Sequence, residues 1–208
     1  MEFTGIIIQK FYFRPRIPKV IMGSEILKCK ELLLQGKTLL YPTDTVWGIG
    51  CDATNEKAVE KVYALKQRAD SKSLIILADS INMVERYVKK VPDTAYMLVE
   101  VSDKPLTIIY PNAAGLAPNV VAEDGSIAIR IVKQAFCSEL LRQFKKPLVS
   151  TSANISGEAT PFNFAAVSSV IKQGVDYVVP SELEQGSSGK PSSIIKLGVN
   201  NEVQIIRE

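Results

Sequence analysis

Residues 147–157 read Pro-Leu-Val-Ser-Thr-Ser-Ala-Asn-Ile-Ser-Gly, and the fold turns on how this stretch is read. An apolar, strand-like start, Pro147–Val149, breaks into short hydroxyl and amide side chains. Six of the eight residues from Ser150 to Gly157 are Ser, Thr, Asn or Gly, so the stretch makes poor core. Its donors and acceptors suit a polyanionic or amino-acid ligand. They suit a plain strand end with a capped turn equally well. In α/β sheets, ligand sites collect at such strand ends.

Working outward, helix and strand patterns alternate. Residues 1–19 read as an extended start, because Arg14-Pro15-Arg16-Ile17-Pro18 cannot lie inside a helix. Ser24 is placed to cap a helix running through Gln35 and ended by Gly36. Thr38–Tyr41 is a short buried strand stopped by Pro42. Asn55 caps a second helix whose apolar face is Val59, Val62, Tyr63 and Leu65. Strands follow at Leu74–Ala78, Leu106–Tyr110 and Ser126–Val132, with helices near 80–89, 92–100 and 135–144. A further helix near 163–173 precedes strands at 176–179, 192–197 and 203–207. Interleaved elements argue an α/β fold, and 208 residues suffice for one large domain or two small ones. The late strands can run antiparallel, so the expected sheet is mixed rather than purely parallel. Gln185–Pro191, rich in Gly and Ser, reads as a mobile surface loop.

Composition narrows the function. The 208 residues carry a net charge of +3 and a pI near 8.7, too mild to argue nucleic-acid binding alone. Three scattered cysteines, Cys29, Cys51 and Cys137, fit neither a disulfide framework nor zinc spacing, which favours a reducing, cytoplasmic setting. No signal peptide or membrane-spanning run is visible. The chain contains no histidine. That excludes Ser-His-Asp and Cys-His catalysis and every histidine-ligated metal site.

Two phosphate-loop lookalikes fail. Gly36-Lys37-Thr38 has Glu31 where the first Gly belongs and runs from helix into strand. Gly189-Lys190 is followed by Pro191, with Glu184 at the upstream Gly position. Four other polar segments lie at strand or helix ends: Tyr41–Gly50, Lys66-Gln67-Arg68 with Lys72 nearby, Ser126–Arg130, and Ser150–Gly157. Each has an ordinary structural explanation. Lys66 and Arg68 suit a helix C-terminus. Period two puts Arg130 opposite Ile127, Ile129 and Ile131, on a face that could be solvated. Thr43 and Thr45 could be turn hydroxyls.

The segments also occur together and in order. The strings YPTDTVWGIGCDA, ALKQR, KPLTIIYP, SIAIRI, VSTSANISGEATP, KPSSIIKL and the closing IIR resemble the YrdC-type threonylcarbamoyl-AMP synthase family over about residues 20–207. The resemblance implies a single YrdC-like α/β domain over residues 1–208, a twisted, open mixed sheet with flanking helices and a concave basic face. It implies a nucleotidyltransferase that joins ATP, L-threonine and bicarbonate or CO2, releases pyrophosphate, and supplies tRNA threonylcarbamoyladenosine modification. Downstream threonylcarbamoyl-transfer proteins would be partners, with tRNA or double-stranded RNA contact possible in principle and no membrane role. By resemblance, Lys66, Arg68, Ser152 and Asn154 form the catalytic centre and hold phosphates. Lys72, Ser126, Thr160 and Arg207 complete the ATP site. Arg130 grips the threonine carboxylate, with Thr45, Ser150 and Ser192 reading its amine and hydroxyl. Mg2+ would accompany the triphosphate, with no dedicated protein cage.

Departures from that pattern matter. Asp103-Lys104 replaces a Pro-Gly pair before Pro105, and Leu77 stands where many members carry a histidine. The resemblance implies a short form with no extra C-terminal domain, which leaves 185–190 as a candidate lid. Two alternatives remain at this level: a double-stranded RNA or tRNA-binding module, and a paralogue without synthase activity. Intact Lys-x-Arg and Ser-x-Asn motifs weigh against the second.

Overall fold

Residues 148–152 form one continuous strand near the middle of a nine-stranded sheet, so the polar run Ser150–Ser152 lies inside the ladder rather than beyond it. The computed structural model describes residues 19–67 and 74–208. In chain order the elements are α1 (Lys19–Leu34), β1 (Leu39–Tyr41), β2 (Gly48–Gly50), α2 (Glu56–Lys66), β3 (Ile75–Ala78), α3 (Ile81–Tyr87), α4 (Asp93–Val101) and β4 (Leu106–Tyr110). There follow β5 (Ile127–Ile131), α5 (Ala135–Phe144), β6 (Leu148–Ser152), α6 (Ser169–Gly174), β7 (Tyr177–Val178), β8 (Ser193–Leu197) and β9 (Val203–Arg207). The strand order is β7-β1-β2-β6-β3-β5-β4-β8-β9. β3 pairs parallel with β5 and antiparallel with β6, so the sheet is mixed, as the pattern predicted.

Helix periodicity sets what is buried. In α5, Phe136, Cys137, Leu140, Leu141 and Phe144 are buried at a 3.6-residue spacing. In α2 the same period buries Ala58, Val59, Val62 and Tyr63 and then reaches Lys66. The lysine, not Leu65, thus ends the buried stripe, and this is what carries its ammonium toward the sheet. Asn55 caps α2 as expected, its side chain accepting from Ala58 N. The largest buried side chains include Trp47, Tyr41, Tyr110 and Phe136. All three cysteines are free and buried. Burial pushes the Cys29 thiol up to about 12 and the other two higher, so they serve as core.

Several sequence expectations change. Ser24 lies inside α1, and its hydroxyl donates back to the Ile21 carbonyl at 3.0 Å, so it does not cap the helix. The expected extended start largely precedes the described residues, and its last member, Lys19, already begins α1. The expected helix at 163–173 is split, because Asn163 caps a 3-10 turn (Phe164–Ala166) and Ser168 caps α6 anew. Strand β2 escaped notice because Gly-Ile-Gly carries almost no pattern. It exists because its backbone fits between neighbours: a Cβ on Gly50 would collide with the Val149 carbonyl. Among the described residues, no helix is long and apolar enough to cross a membrane.

Candidate active site

Register defines one face of the sheet. Across β4, β5, β3 and β6, Ile109 faces Ala128, Ala128 faces Ile75, and Ile75 faces Ser150. One step along, Thr107, Arg130 and Leu77 share a row. Gly48 faces Ser152 across β2 and β6. These residues stand on the same side because side chains alternate along each strand. A cleft of about 360 Å³ opens over this face. Its floor is apolar (Ile75, Ile109, Ala128), and its walls carry Thr45, Ser150, Ser152, Thr160, Ser192 and the guanidinium groups of Arg130 and Arg207. No carboxylate lies among its lining residues.

The opposite-face reading of Arg130 was right in direction, but that face is not solvent. Arg130 is only 4% exposed. Its Nη1 donates to Asp44 Oδ1 in a short ion pair, and Nη2 donates to Thr45 Oγ1 at 3.2 Å. The Thr43 hydroxyl donates to the Val46 carbonyl at 2.8 Å and accepts Thr45 N at 3.1 Å. Its one proton is thereby spent, so across the 2.9 Å Thr43–Thr45 contact Thr45 must be the donor. Thr45 Oγ1 is left facing Arg130 as an acceptor. Ser192 Oγ shares a 2.7 Å hydrogen bond with buried Thr107, while its carbonyl accepts from Arg207 Nε and Nη2 at 3.0 and 2.6 Å. Gly48 is small for a reason: a Cβ there would stand 3.2 Å from Ser150 Oγ.

Lys66 and Asn154 stand behind the cleft wall. Lys66, 2% exposed, donates from Nζ to the Ser152 and Asn154 carbonyls at 2.6 and 2.7 Å. Its own carbonyl accepts from Ser156 N. The C-terminus of α2 therefore ties down the Ser-x-Asn turn. Asn154 Nδ2 donates to the Ile155 and Glu158 carbonyls, both at 2.9 Å, which fixes the amide orientation. Asn154 Oδ1 is buried and has no partner among the described residues.

Of the residues singled out in sequence, Thr45, Arg130, Ser150, Ser152, Thr160, Ser192 and Arg207 meet on the cleft wall. Ser126 does not line it: its hydroxyl donates to Asp124 Oδ1 at 2.5 Å. That bond, with Lys196, holds Asp124 well below the carboxylate range, at about 2. Arg68 and Lys72 lie outside the described residues. Sequence reasoning missed Asp44 and Thr107 as members of the site. Asp44 was in view inside the Thr43–Thr45 segment, but its partner is 86 residues away, and no local pattern links them. The Gly/Ser loop is hydrogen-bonded to the Asp44–Thr45 backbone. Ser188 N and Gly189 N donate to the Asp44 and Thr45 carbonyls at 2.9 and 2.8 Å, and Ser187 Oγ donates to the Thr45 carbonyl at 2.6 Å.

Fold and cleft together define an α/β domain with a hydroxyl-rich cleft, lined by two arginines, over one sheet face. Comparison with known proteins gives that class its family. The Sua5/YciO/YrdC family model, described as telomere recombination, matches residues 31–208. A threonylcarbamoyl-AMP synthase of Pseudoalteromonas translucida is 36% identical over 174 residues, covering 82% of this chain and 92% of that protein. Two structures of P. abyssi Sua5 superpose with TM-scores of 0.79 and 0.75 at 25% and 26% identity, the second complexed with L-threonine. They cover 93% and 88% of this chain, which in turn spans 58% and 52% of theirs. The chain belongs to the Sua5/YciO/YrdC family.

Proposed function

We propose that this chain is a threonylcarbamoyl-AMP synthase, forming threonylcarbamoyl-adenylate and pyrophosphate from ATP, L-threonine and bicarbonate or CO2. The observation that carries this is a single cleft lined by two guanidinium groups, Arg130 and Arg207, and by several hydroxyl groups, with no acidic side chain among its described lining residues; the one carboxylate on Arg130, that of Asp44, lies off the wall. Such a cleft suits a carboxylate-bearing amino acid at one end and a polyphosphate at the other. The named synthase relative and the threonine-complexed structure point the same way.

The chemistry asks little of side-chain nucleophiles. The threonine ammonium gives up a proton to solvent and the amine adds to CO2, releasing a second proton, to give a carbamate (bicarbonate serves by first losing hydroxide to become CO2). A carbamate oxygen then attacks the α-phosphorus while pyrophosphate leaves. The protein must hold two anions together and offset their repulsion, a positioning effect that can be worth about 7–11 kcal/mol. Arg130 takes the threonine carboxylate. Thr45 Oγ1, already committed as an acceptor, reads an N–H of the amine, with Ser150 and Ser192 nearby for the hydroxyl. Ser152, Thr160 and Arg207 face the phosphates. Lys66 and Asn154 shape the turn that presents Ser152, and Arg68, Lys72 and Ser126 belong to the nucleotide side by family resemblance.

A magnesium ion fits this arrangement only as the triphosphate's companion. Among the described residues, no cluster of three acidic, cysteine or histidine side chains exists to cage one. Asn154 Oδ1, though unpartnered among the described residues, is buried behind the cleft wall and does not line it. When bound, the ion neutralises phosphate charge. The proposal extends to a cytoplasmic setting, and to tRNA and threonylcarbamoyl-transfer proteins as downstream partners. The test is pyrophosphate release by purified protein with ATP and magnesium, adding and omitting threonine and bicarbonate. Release that needs both, with an adenylate of the expected mass, supports the synthase. ATP binding without release overturns it.

A further inference from the structure

Asp44 sits on the other side of Arg130 from the cleft. It borders a second cavity, of about 220 Å³, on the opposite face of the sheet beside Ile108, Ile129 and Ile131, and it is not on the cleft wall. Arg130 borders the cleft and not this second cavity. The carboxylate therefore meets the guanidinium from behind. Its second oxygen accepts from Lys133 N at 3.3 Å, and the Asp44 carbonyl accepts from Ser188 N, so its position is held from two more directions. With side-chain exposures of 5% and 13%, the Arg130–Asp44 pair is largely dry.

Two consequences follow from this placement. Asp44 and Thr45 together engage one N–H on each Nη, leaving the other guanidinium donors fixed for a ligand. Asp44 also cancels the charge of Arg130, whereas Arg207 is held by a carbonyl, which cancels none. The two guanidinium groups of the cleft thus differ in net charge. A polyphosphate is drawn to uncancelled positive charge, while a zwitterionic amino acid needs mainly the oriented fork.

We propose that Asp44 is the positioning and selectivity residue of the amino-acid end: it aims the Arg130 fork and keeps phosphate groups out of the threonine position. This rests on the synthase reading for the identity of the amino acid, but the Arg130–Asp44 arrangement stands apart from it.

The experiment compares wild type with Asp44→Asn, which keeps shape and acceptor but removes charge. Arginine guanidinium NMR spectra, with Arg130 assigned through Arg130→Lys, are titrated with inorganic phosphate. In wild type the Arg130 Nη signals stay resolved and unmoved by phosphate; in Asp44→Asn they broaden and shift in the millimolar range. In steady-state turnover the threonine KM rises about 10- to 100-fold, as supporting partners of a binding group typically require. The ATP KM holds, and phosphate becomes competitive against threonine in the variant alone. Identical NMR signals in both proteins, or equal phosphate shifts in both, overturn the proposal. So does phosphate inhibition of the same strength in wild type and variant. Should Asp44→Asn fail to fold, Asp44→Glu serves: the charge remains, so phosphate stays excluded while the fork loosens, and phosphate entry there overturns the charge argument. A wild type with no threonine-dependent turnover removes the synthase reading, and the substrate-free NMR arm still decides the role of Asp44.

Discussion

Replacing Lys66 with Met keeps the aliphatic stem on the buried face of α2 and removes the ammonium. The bonds to the Ser152 and Asn154 carbonyls, at 2.6 and 2.7 Å, are among those that disappear. A hydrogen bond to a charged group contributes about 1.5–3 kcal/mol net, and two from one ammonium are not additive. The expected loss is about 3 kcal/mol. For a domain of this length, about 2–4 °C of melting temperature accompanies each kcal/mol, so Tm falls by about 6–12 °C. The loss should be local first: the turn from Ser152 to Ser156 loses its tether, and amide exchange at Ser156, whose N–H bonds to the Lys66 carbonyl, speeds up before the β6 core. Turnover falls as well, because Ser152 is no longer held. The assay is thermal and urea unfolding, with hydrogen exchange resolved across residues 148–158. A Tm within about 2 °C of wild type, with lost turnover, would refute the tethering argument and leave Lys66 as a phosphate ligand alone.

Arg130→Lys keeps a charge but not the fork, so the threonine KM should rise by roughly 10- to 100-fold while ATP binding holds; equal losses for both substrates in steady-state kinetics would count against the two-ended cleft. Gly50→Ala forces a methyl against the Val149 carbonyl and the Tyr41 ring, and should cost upward of about 2 kcal/mol in urea unfolding. An unchanged midpoint would mean that β2 does not lie so close to β6. Lys145 caps α5 at φ 63°, ψ 16°, a left-handed conformation that suits glycine. Lys145→Gly, far from the cleft, should raise stability by about 0.5–1 kcal/mol with turnover unchanged, read by the same unfolding assay.

Much of this molecule is legible in its sequence where a residue's role is local. Asn55 announces the start of α2 because capping is decided within one turn. Leu106–Tyr110 is found to the residue because β-branched alternation is decided within one strand. Ser24 misleads because the same hydroxyl that can cap a helix can bond back inside one. β2 stays hidden because it owes its existence to tertiary fit: two glycines let its backbone pass Ser150 and Val149. Most of the cleft wall was identified through the family pattern. Asp44 was passed over because ion pairing over 86 residues leaves no periodic trace.

The Gly/Ser-rich segment after Gln185 has the composition of a flexible linker yet is hydrogen-bonded to its neighbours. Its bonds to residues 44 and 45 hold it to the same dipeptide whose side chains hold Arg130. Three residues past Gly189, Ser192 anchors Arg207 through its carbonyl. The segment is thus a strap between the two arginine ends rather than a free flap. Lifting it breaks three hydrogen bonds worth about 2–4 kcal/mol together at net values, so an open form would hold on the order of a few per cent of molecules or fewer. A ligand that pulls Arg207 toward its phosphates acts on Ser192, and one that engages Arg130 acts on Asp44 and Thr45. In a protein without histidine, this shared mounting holds the strap, Arg130 and Arg207 as one connected unit through residues 44, 45 and 192.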